Sequence, residues 1–468
     1  MAITIGWLGR RYRFAALFLC VTCVCFLGSF DSALAQAPGA PGGGGVPPLE
    51  PPVVRQLPDG TGTLSLGDWL LYPTLNFHTF YDTNIYSSAT TPISAAGLNF
   101  NPTLLATYDT GIHTTSLYGN INSNVYPFID YINNTFDRQV GFVEKYEAMR
   151  DLIFTVQGNY SHSTNASIFT QALPGTIISP VSPAQPGAAG VVAAQQTFVN
   201  PNDTYSATGT IYKEFNRAFL TMSGILSTTQ YADQLLSTNY SLESYSVSGG
   251  AWFSPLFYVY ANGAQSFDSP VVGPACPSPC PNSTYYQVLA GIGSAKIGML
   301  FSGSIYYGRQ GSEVADGGGT AAGPVYGAKL LYSPTSVWNV TLSVDRVINI
   351  SNITTVTSAG APQALPGLSL AAAAIPFGQS VQITAPALRS DYQFSEQTSV
   401  FGAIGYTSIN YIDSTQFQNS WVASVGIRHN LSSHLTLTFD YQYSSIVSNI
   451  PLTSFTRNYT ALGASYKF

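Results

Sequence analysis

Charge is scarce in this sequence. Asp, Glu, Lys and Arg make up 9% of the 468 residues, against about 25% in ordinary soluble domains, so ionic groups are not what keeps the chain in water. Long apolar runs are missing as well. Beyond residue 35 no stretch approaches the roughly 20 apolar residues of a spanning helix, and the mean hydropathy is only +0.13. A chain of this kind that enters a membrane must cross as a closed barrel, because only closure pairs every backbone group. Clusters of Lys and Arg are lacking, which rules against nucleic-acid binding, where phosphate contacts need them. Cysteine is rare too. Of five, Cys20, Cys23 and Cys25 fall in the first 35 residues without a convincing lipidation signal. That leaves Cys276 and Cys280 in Pro-Ala-Cys-Pro-Ser-Pro-Cys-Pro. In an exported protein such a pair is most simply a local disulfide that stiffens its loop. A metal site would want further ligands nearby, and the sequence supplies none, nor any cofactor motif.

What is present begins with a secretory leader, residues 1–35. Arg10, Arg11 and Arg13 precede an apolar core from Phe14 to Phe30, and Ala33-Leu34-Ala35 forms a small-x-small cleavage site. Its removal leaves 14 basic and 22 acidic residues. Residues 36–67 are rich in Pro and Gly, with Gly42 to Gly45 in a row, and read as a disordered arm. From Asp68 to Phe468 the chain is a succession of segments, ten to fourteen residues long, in which apolar and polar residues alternate. After Ser336, Trp338, Val340, Leu342 and Val344 alternate with Asn339, Thr341, Ser343 and Asp345. The period of two predicts strands with one face for lipid and one for water. A soluble sandwich would carry Lys and Glu on its polar faces, whereas these are mostly neutral.

The separators come in two kinds. Tight turns are predicted at 109–111, 149–151, 215–217, 253–255, 293–294, 333–335, 395–397 and 431–433. Longer connections fall between them at 83–96, 127–134, 164–202, 232–238, 269–284, 311–322, 351–377, 412–418 and 448–454. Short turns on one rim and long loops on the other are the pattern of a transmembrane antiparallel up-and-down barrel in a bacterial outer membrane. The count gives about 18 strands, with 16 as the alternative because boundaries between 377 and 397 are illegible. The last strand ends the chain on Leu462, Tyr466 and Phe468, which we expect to carry the signal for the outer-membrane assembly machinery and to pair with the first strand near Leu75 to Tyr81.

Three short motifs carry a resemblance. Tyr81-Asp82-Thr83-Asn84-Ile85-Tyr86, Asn101-Pro102-Thr103-Leu104-Leu105-Ala106 and Arg150-Asp151-Leu152 resemble the β-barrel porin type 2 family of proteobacterial outer membranes, over about Asp68 to Phe468. The resemblance implies a porin-type barrel, with no substrate and no catalytic residues to transfer. Family members often have a second acid where this chain has Thr83.

Taken with the composition, the expected function is a porin-like channel for passive diffusion of small, mainly uncharged hydrophilic solutes. Tyr258, Tyr260, Asn262, Lys329, Asp345, Arg428 and Asp440 are the candidate lining residues, few of them charged and none forming an evident ring. One of the two uncharged connections, 164–202 or 351–377, is a candidate constriction. Expected partners are outer-membrane lipid and the assembly machinery, with a homotrimer as a candidate assembly. The alternative is a barrel serving surface-polysaccharide export or envelope structure without an open pore. An enzyme would need a nucleophile paired with an oriented histidine. His78, His113, His162, His429 and His434 show no such spacing.

Overall fold

The computed structural model describes residues 64–85, 92–127, 134–167, 197–232, 239–271, 282–297, 300–315, 320–350, 380–412, 414–450 and 454–468. The leader, most of the arm, Cys276 and Cys280, the centre of connection 164–202 and all of connection 351–377 lie outside them. The described chain is all strand: β1 Leu64–Leu66, β2 Trp69–Asp82, β3 Ala95–Asp109, β4 His113–Val125, β5 Thr135–Met149, β6 Leu152–Ser167, β7 Thr197–Phe215, β8 Ala218–Tyr231, β9 Tyr240–Trp252, β10 Phe257–Pro270, β11 Ser283–Ile297, β12 Phe301–Val314, β13 Thr320–Thr335, β14 Trp338–Ile350, β15 Ser380–Gln393, β16 Thr398–Tyr411, β17 Phe417–Asn430, β18 Leu435–Ser448 and β19 Phe455–Lys467. From β2 to β19 each strand pairs antiparallel with the next.

The last of them returns to the first. β19 pairs with β2 from Lys467↔Thr74 to Tyr459↔Asp82, and the Phe468 amide donates to the Pro73 carbonyl at 3.3 Å. Eighteen strands therefore close into a barrel. β1 takes the remaining length of β2, Leu64↔Leu71 to Leu66↔Trp69. The other edge of β2 is already taken there by β3, so β1 follows the track of β19 below the carboxyl-terminus. The two-residue turn between β1 and β2 holds Gly67 at a φ of 62°, and the one between β7 and β8 holds Asn216 at 54°. Both are residues that tolerate the left-handed region a tight hairpin demands.

Outward faces follow the alternation. Phe77, Leu104, Leu117, Val140, Ile211, Val247, Val288, Ile305, Leu342, Trp421, Val425, Phe439 and Leu462 are all exposed on the outer surface. Exposed apolar side chains on this scale, in period-two register around a closed sheet, suit lipid and not water. Inward, many glycines serve as seats for a ring on the neighbouring strand. Tyr260 lies over Gly291, Tyr258 over Gly293, Tyr306 over Gly327, Phe219 over Gly250 and Phe401 over Gly426. A Cβ at Gly291 would stand 2.5 Å from the Tyr260 ring, so the bare backbone is what allows each aromatic to lie flat on the sheet.

Two expected turns are misplaced by a few residues. β11 runs on to Ile297, past Gly293-Ser294, through a register shift between Ser294 and Ile297. β13 includes Ser333-Pro334-Thr335 through a shift between Tyr332 and Thr335. In both places a bulge, with its locally broken alternation, resembles a turn in the sequence. The β13–β14 ladder ends at Tyr326↔Arg346. Above that level the Ile348 amide donates to Gln310 Oε1 of β12 at 3.0 Å, and the Gln310 amide returns a bond to the Ile348 carbonyl. One side chain thus bonds to β14 where β13, still paired with β12, no longer does.

The barrel lumen as candidate functional site

Strand parity places all seven candidate lining residues on the inner face, but they do not share one environment. Tyr258, Tyr260 and Asn262 of β10 are buried at 5%, 3% and 8% exposure. Tyr258 and Tyr260 form a packed wall with Phe219 of β8, Leu289 of β11 and Tyr306 of β12, against which Tyr212 and Trp252 also lean. Trp252 and Tyr258 stand 4.8 Å apart between ring centroids, and Tyr306 donates to Asp345 of β14 at 2.8 Å, reaching across Gly327. Period two identifies a face without telling how deeply the side chain is covered. The Asn262 amide donates to Ser248 at 2.8 Å, while its Oδ1 and the Tyr260 hydroxyl are buried without a partner.

A second stretch of wall, β2 to β6, is built from amides. Asn76 donates to Asn101 Oδ1 at 3.2 Å. Asn99 donates to Asn122 and Asn124 at 2.6 and 2.8 Å, Asn124 to Thr135 at 2.8 Å, and Gln139 to Asn159 at 2.8 Å. These residues sit mostly half-exposed on the inner face. Each carboxamide has two donor hydrogens and a carbonyl with two lone pairs, so the lattice keeps unused hydrogen-bonding capacity toward the lumen.

The third stretch carries further inward charges, in addition to the Lys145–Glu147 pair that β5 already presents inside. Arg389 of β15 grips Asp391 through Nε and Nη2 at 2.7 and 2.5 Å. Its guanidinium lies 4.7 Å from the Phe401 ring centroid, and that of Arg428 from β17 lies at 5.4 Å from the same ring. Asp440 of β18 stands opposite Gly426 in register, on the same face as Arg428. Nearer the loops, Arg457 of β19 binds the buried Asp82 at 2.8 and 2.5 Å. Arg389, Asp391 and this Arg457–Asp82 pair escaped the sequence reading. The first two fall in the illegible stretch 377–397, although Leu388, Ser390 and Tyr392 flank them in the outward positions. Asp82 stands in the motif that ends the first long strand, but its partner is 375 residues away in the chain and joins it only on closure. Lys329 is exposed on the inner face, the least enclosed of the cations. Where charge occurs in this stretch, an opposite charge is therefore beside it or one strand away, which leaves no ring of one sign.

The histidines are dispersed. His113 meets Glu144 at 3.0 Å and His162 meets Asp203 at 3.0 Å, both on the outer face. His429 meets the Thr398 hydroxyl at 3.0 Å and His434 the Lys467 carbonyl at 3.0 Å. His78 lies over Gly463 inside. Among the described residues no three His, Cys, Asp or Glu side chains gather as a metal site.

The family model described as "Putative beta-barrel porin 2" matches residues 59–364, and that of "Outer membrane protein beta-barrel domain" matches residues 282–468. No curated protein matches. Among solved structures, the outer-membrane channel DcaP of Acinetobacter baumannii is 10% identical, with 86% of this chain and 97% of that one covered at a TM-score of 0.41. OccAB2 of the same organism is 12% identical over 85% and 98%, at 0.44. The FrpB iron transporter of Neisseria meningitidis is 9% identical over 86% and 82%, at 0.43.

Proposed function

The chain belongs to the family of β-barrel porin 2 proteins of the outer membrane, and from its lumen we propose that it is a passive channel for small, mainly uncharged hydrophilic solutes. The observation that carries the reading is the half-exposed lattice of Asn, Gln and Thr on β2 to β6. Neutral donors and acceptors exchange hydrogen bonds with a hydroxylated solute at little net cost, since water is replaced by groups of similar strength. A charged solute would be drawn by a ring of opposite charge. Here Arg389 faces Asp391 and Arg457 faces Asp82, so the fields largely cancel within a few ångströms. Sugars and comparable polyols are the solute class we assign.

Two further assignments belong to the same proposal. Leu462, Tyr466 and Phe468 present their side chains on the outer surface of the closing strand, where the assembly machinery would meet them, and truncation of Phe468 should lower the yield of inserted barrel. A homotrimer is the assembly we assign, to be checked by the mass of the detergent-solubilised protein. Planar bilayer recording tests the channel itself. Steady open-channel steps support it, and a silent bilayer containing protein with a heat-modifiable gel shift would favour export or envelope structure without a pore.

A further inference from the structure

The outer face carries few charges, and they are not evenly matched. Near the turn rim, Lys213 is hydrogen-bonded to Asp151 and His113 to Glu144. Toward the loop rim, Arg138 donates at 3.0 Å to Tyr160, which donates at 2.7 Å to Asp203. Arg309 of β12 and Arg346 of β14 are different. Neither makes a salt bridge among the described residues. Their outward direction follows from register. Arg309 pairs with Val288, which is 65% exposed on the lipid side, and Arg346 pairs with Tyr326, likewise an outward residue.

The two also stand at one height. Arg309 is eight residues above Phe301 and Arg346 eight above Trp338, the turn-side ends of their strands. At roughly 3.3 Å per residue and a tilt of about 40°, that is about 20 Å up a lipid-facing band about 25 Å tall. Below them the outer face is Ile305, Tyr307, Leu330, Leu342 and Val344, and between them lies Tyr326. One strand separates them, so their backbones are about 10 Å apart. Arg346 is already oriented, with its guanidinium 5.5 Å from the Tyr326 ring centroid and Nη2 bonded to Gln382. Its Nε is buried without an acceptor, and Arg309 is exposed. The nearest outward acid on either strand, Glu313, lies four residues farther toward the loops than Arg309.

We infer that Arg309 and Arg346 form a binding site for the phosphate of a lipid headgroup in the leaflet that faces the long loops. The exposed fork of Arg309, joined by the remaining guanidinium hydrogens of Arg346, at the edge of an apolar band, matches a phosphate oxygen set, and the acyl chains of the same molecule would lie against Ile305, Leu330 and Leu342. A lipid is the source we assign because the band below the pair is apolar and the pair points away from the lumen. The site is independent of the solute reading, since it is on the opposite face of the sheet.

The test uses the full protein in a neutral detergent, titrated with bis-phosphorylated lipid A, with the same lipid after removal of its phosphates, and with inorganic phosphate, bound lipid being counted by native mass spectrometry. The wild type should bind the phosphorylated lipid about tenfold more tightly than R309Q/R346Q, as expected for loss of charge-assisted hydrogen bonds. The dephosphorylated lipid should bind both proteins alike, and millimolar phosphate should not displace the lipid. Equal binding of phosphorylated lipid to both proteins overturns the site, and displacement by inorganic phosphate overturns the assignment to a lipid. Should the double variant not fold by the gel-shift criterion, R309Q decides the matter. Arg309 makes no salt bridge whose loss would unfold the barrel, so R309Q should weaken the phosphorylated lipid alone, and unchanged binding again refutes the site.

Discussion

Two walls of one lumen are built by opposite means. On β8 to β12 the inner face is a dry aromatic layer, with Tyr258, Tyr260, Tyr306 and Phe219 seated on glycines and buried. On β2 to β6 it is an amide lattice, half-exposed and cross-bonded between strands. The first stabilises by packing and removal of apolar surface from water, and the second by many hydrogen bonds of small net worth. The difference teaches that inward-facing and pore-lining are not the same property. Tyr258, Tyr260 and Asn262 face inward, yet the wetter surface is carried by Asn99, Asn122, Gln139 and Asn159.

Substitutions should break the comparison in a fixed order. The largest effect is expected from Y258A/Y260A, each deletion of a buried ring costing about 3–5 kcal/mol as for other buried aromatics. Folding yield and urea midpoint in lipid vesicles would read it. G291V should follow, at about 1–3 kcal/mol for overpacking, since its side chain would displace Tyr260. The amide wall should respond inversely. N99A/Q139A removes side-chain hydrogen bonds worth about 0.5–1.5 kcal/mol each, so the midpoint should fall less than in Y258A/Y260A while entry of sugars into vesicles slows.

Charge supplies the finer contrasts. D391N leaves Arg389 without its carboxylate, and the reversal potential in a salt gradient should move toward anion preference, with little change in folding. The smallest effect belongs to Asp151, in the turn between β6 and its predecessor β5. The hydrogen bond from Lys213 holds its carboxyl below the ordinary carboxylate range. A depressed value in the folded state contributes stability above the unfolded value and loses it as pH falls through the folded one. D151N should thus match the wild type in strong acid and be marginally weaker at neutral pH, by thermal melting in detergent.

Much of this fold was readable because period two, two classes of connection and neutral polar faces are all local properties. Turns at Asp109-Thr110-Gly111, Asn216-Arg217 and Leu431-Ser432-Ser433 stand where the residues predict. The misplacements at Gly293 and Pro334 come from bulges, which imitate a turn by interrupting alternation. The pairing of Leu75 to Tyr81 with the closing strand was legible from the need to close, but the bond from Arg457 to Asp82 was not, because it depends on which register closure selects. The packed state of Tyr258 was equally hidden. It rests on Gly293 standing opposite it in β11 and on Phe219, seated over Gly250, packing beside it, a relation between distant positions.

Liposome swelling tests the central claim most directly. With the wild-type barrel in vesicles, a neutral sugar should enter faster than a dicarboxylate of matched size, and the gap should narrow in N99A/Q139A. Faster entry of the dicarboxylate, or no swelling with protein that shows the folded gel shift, would contradict a passive channel for uncharged solutes.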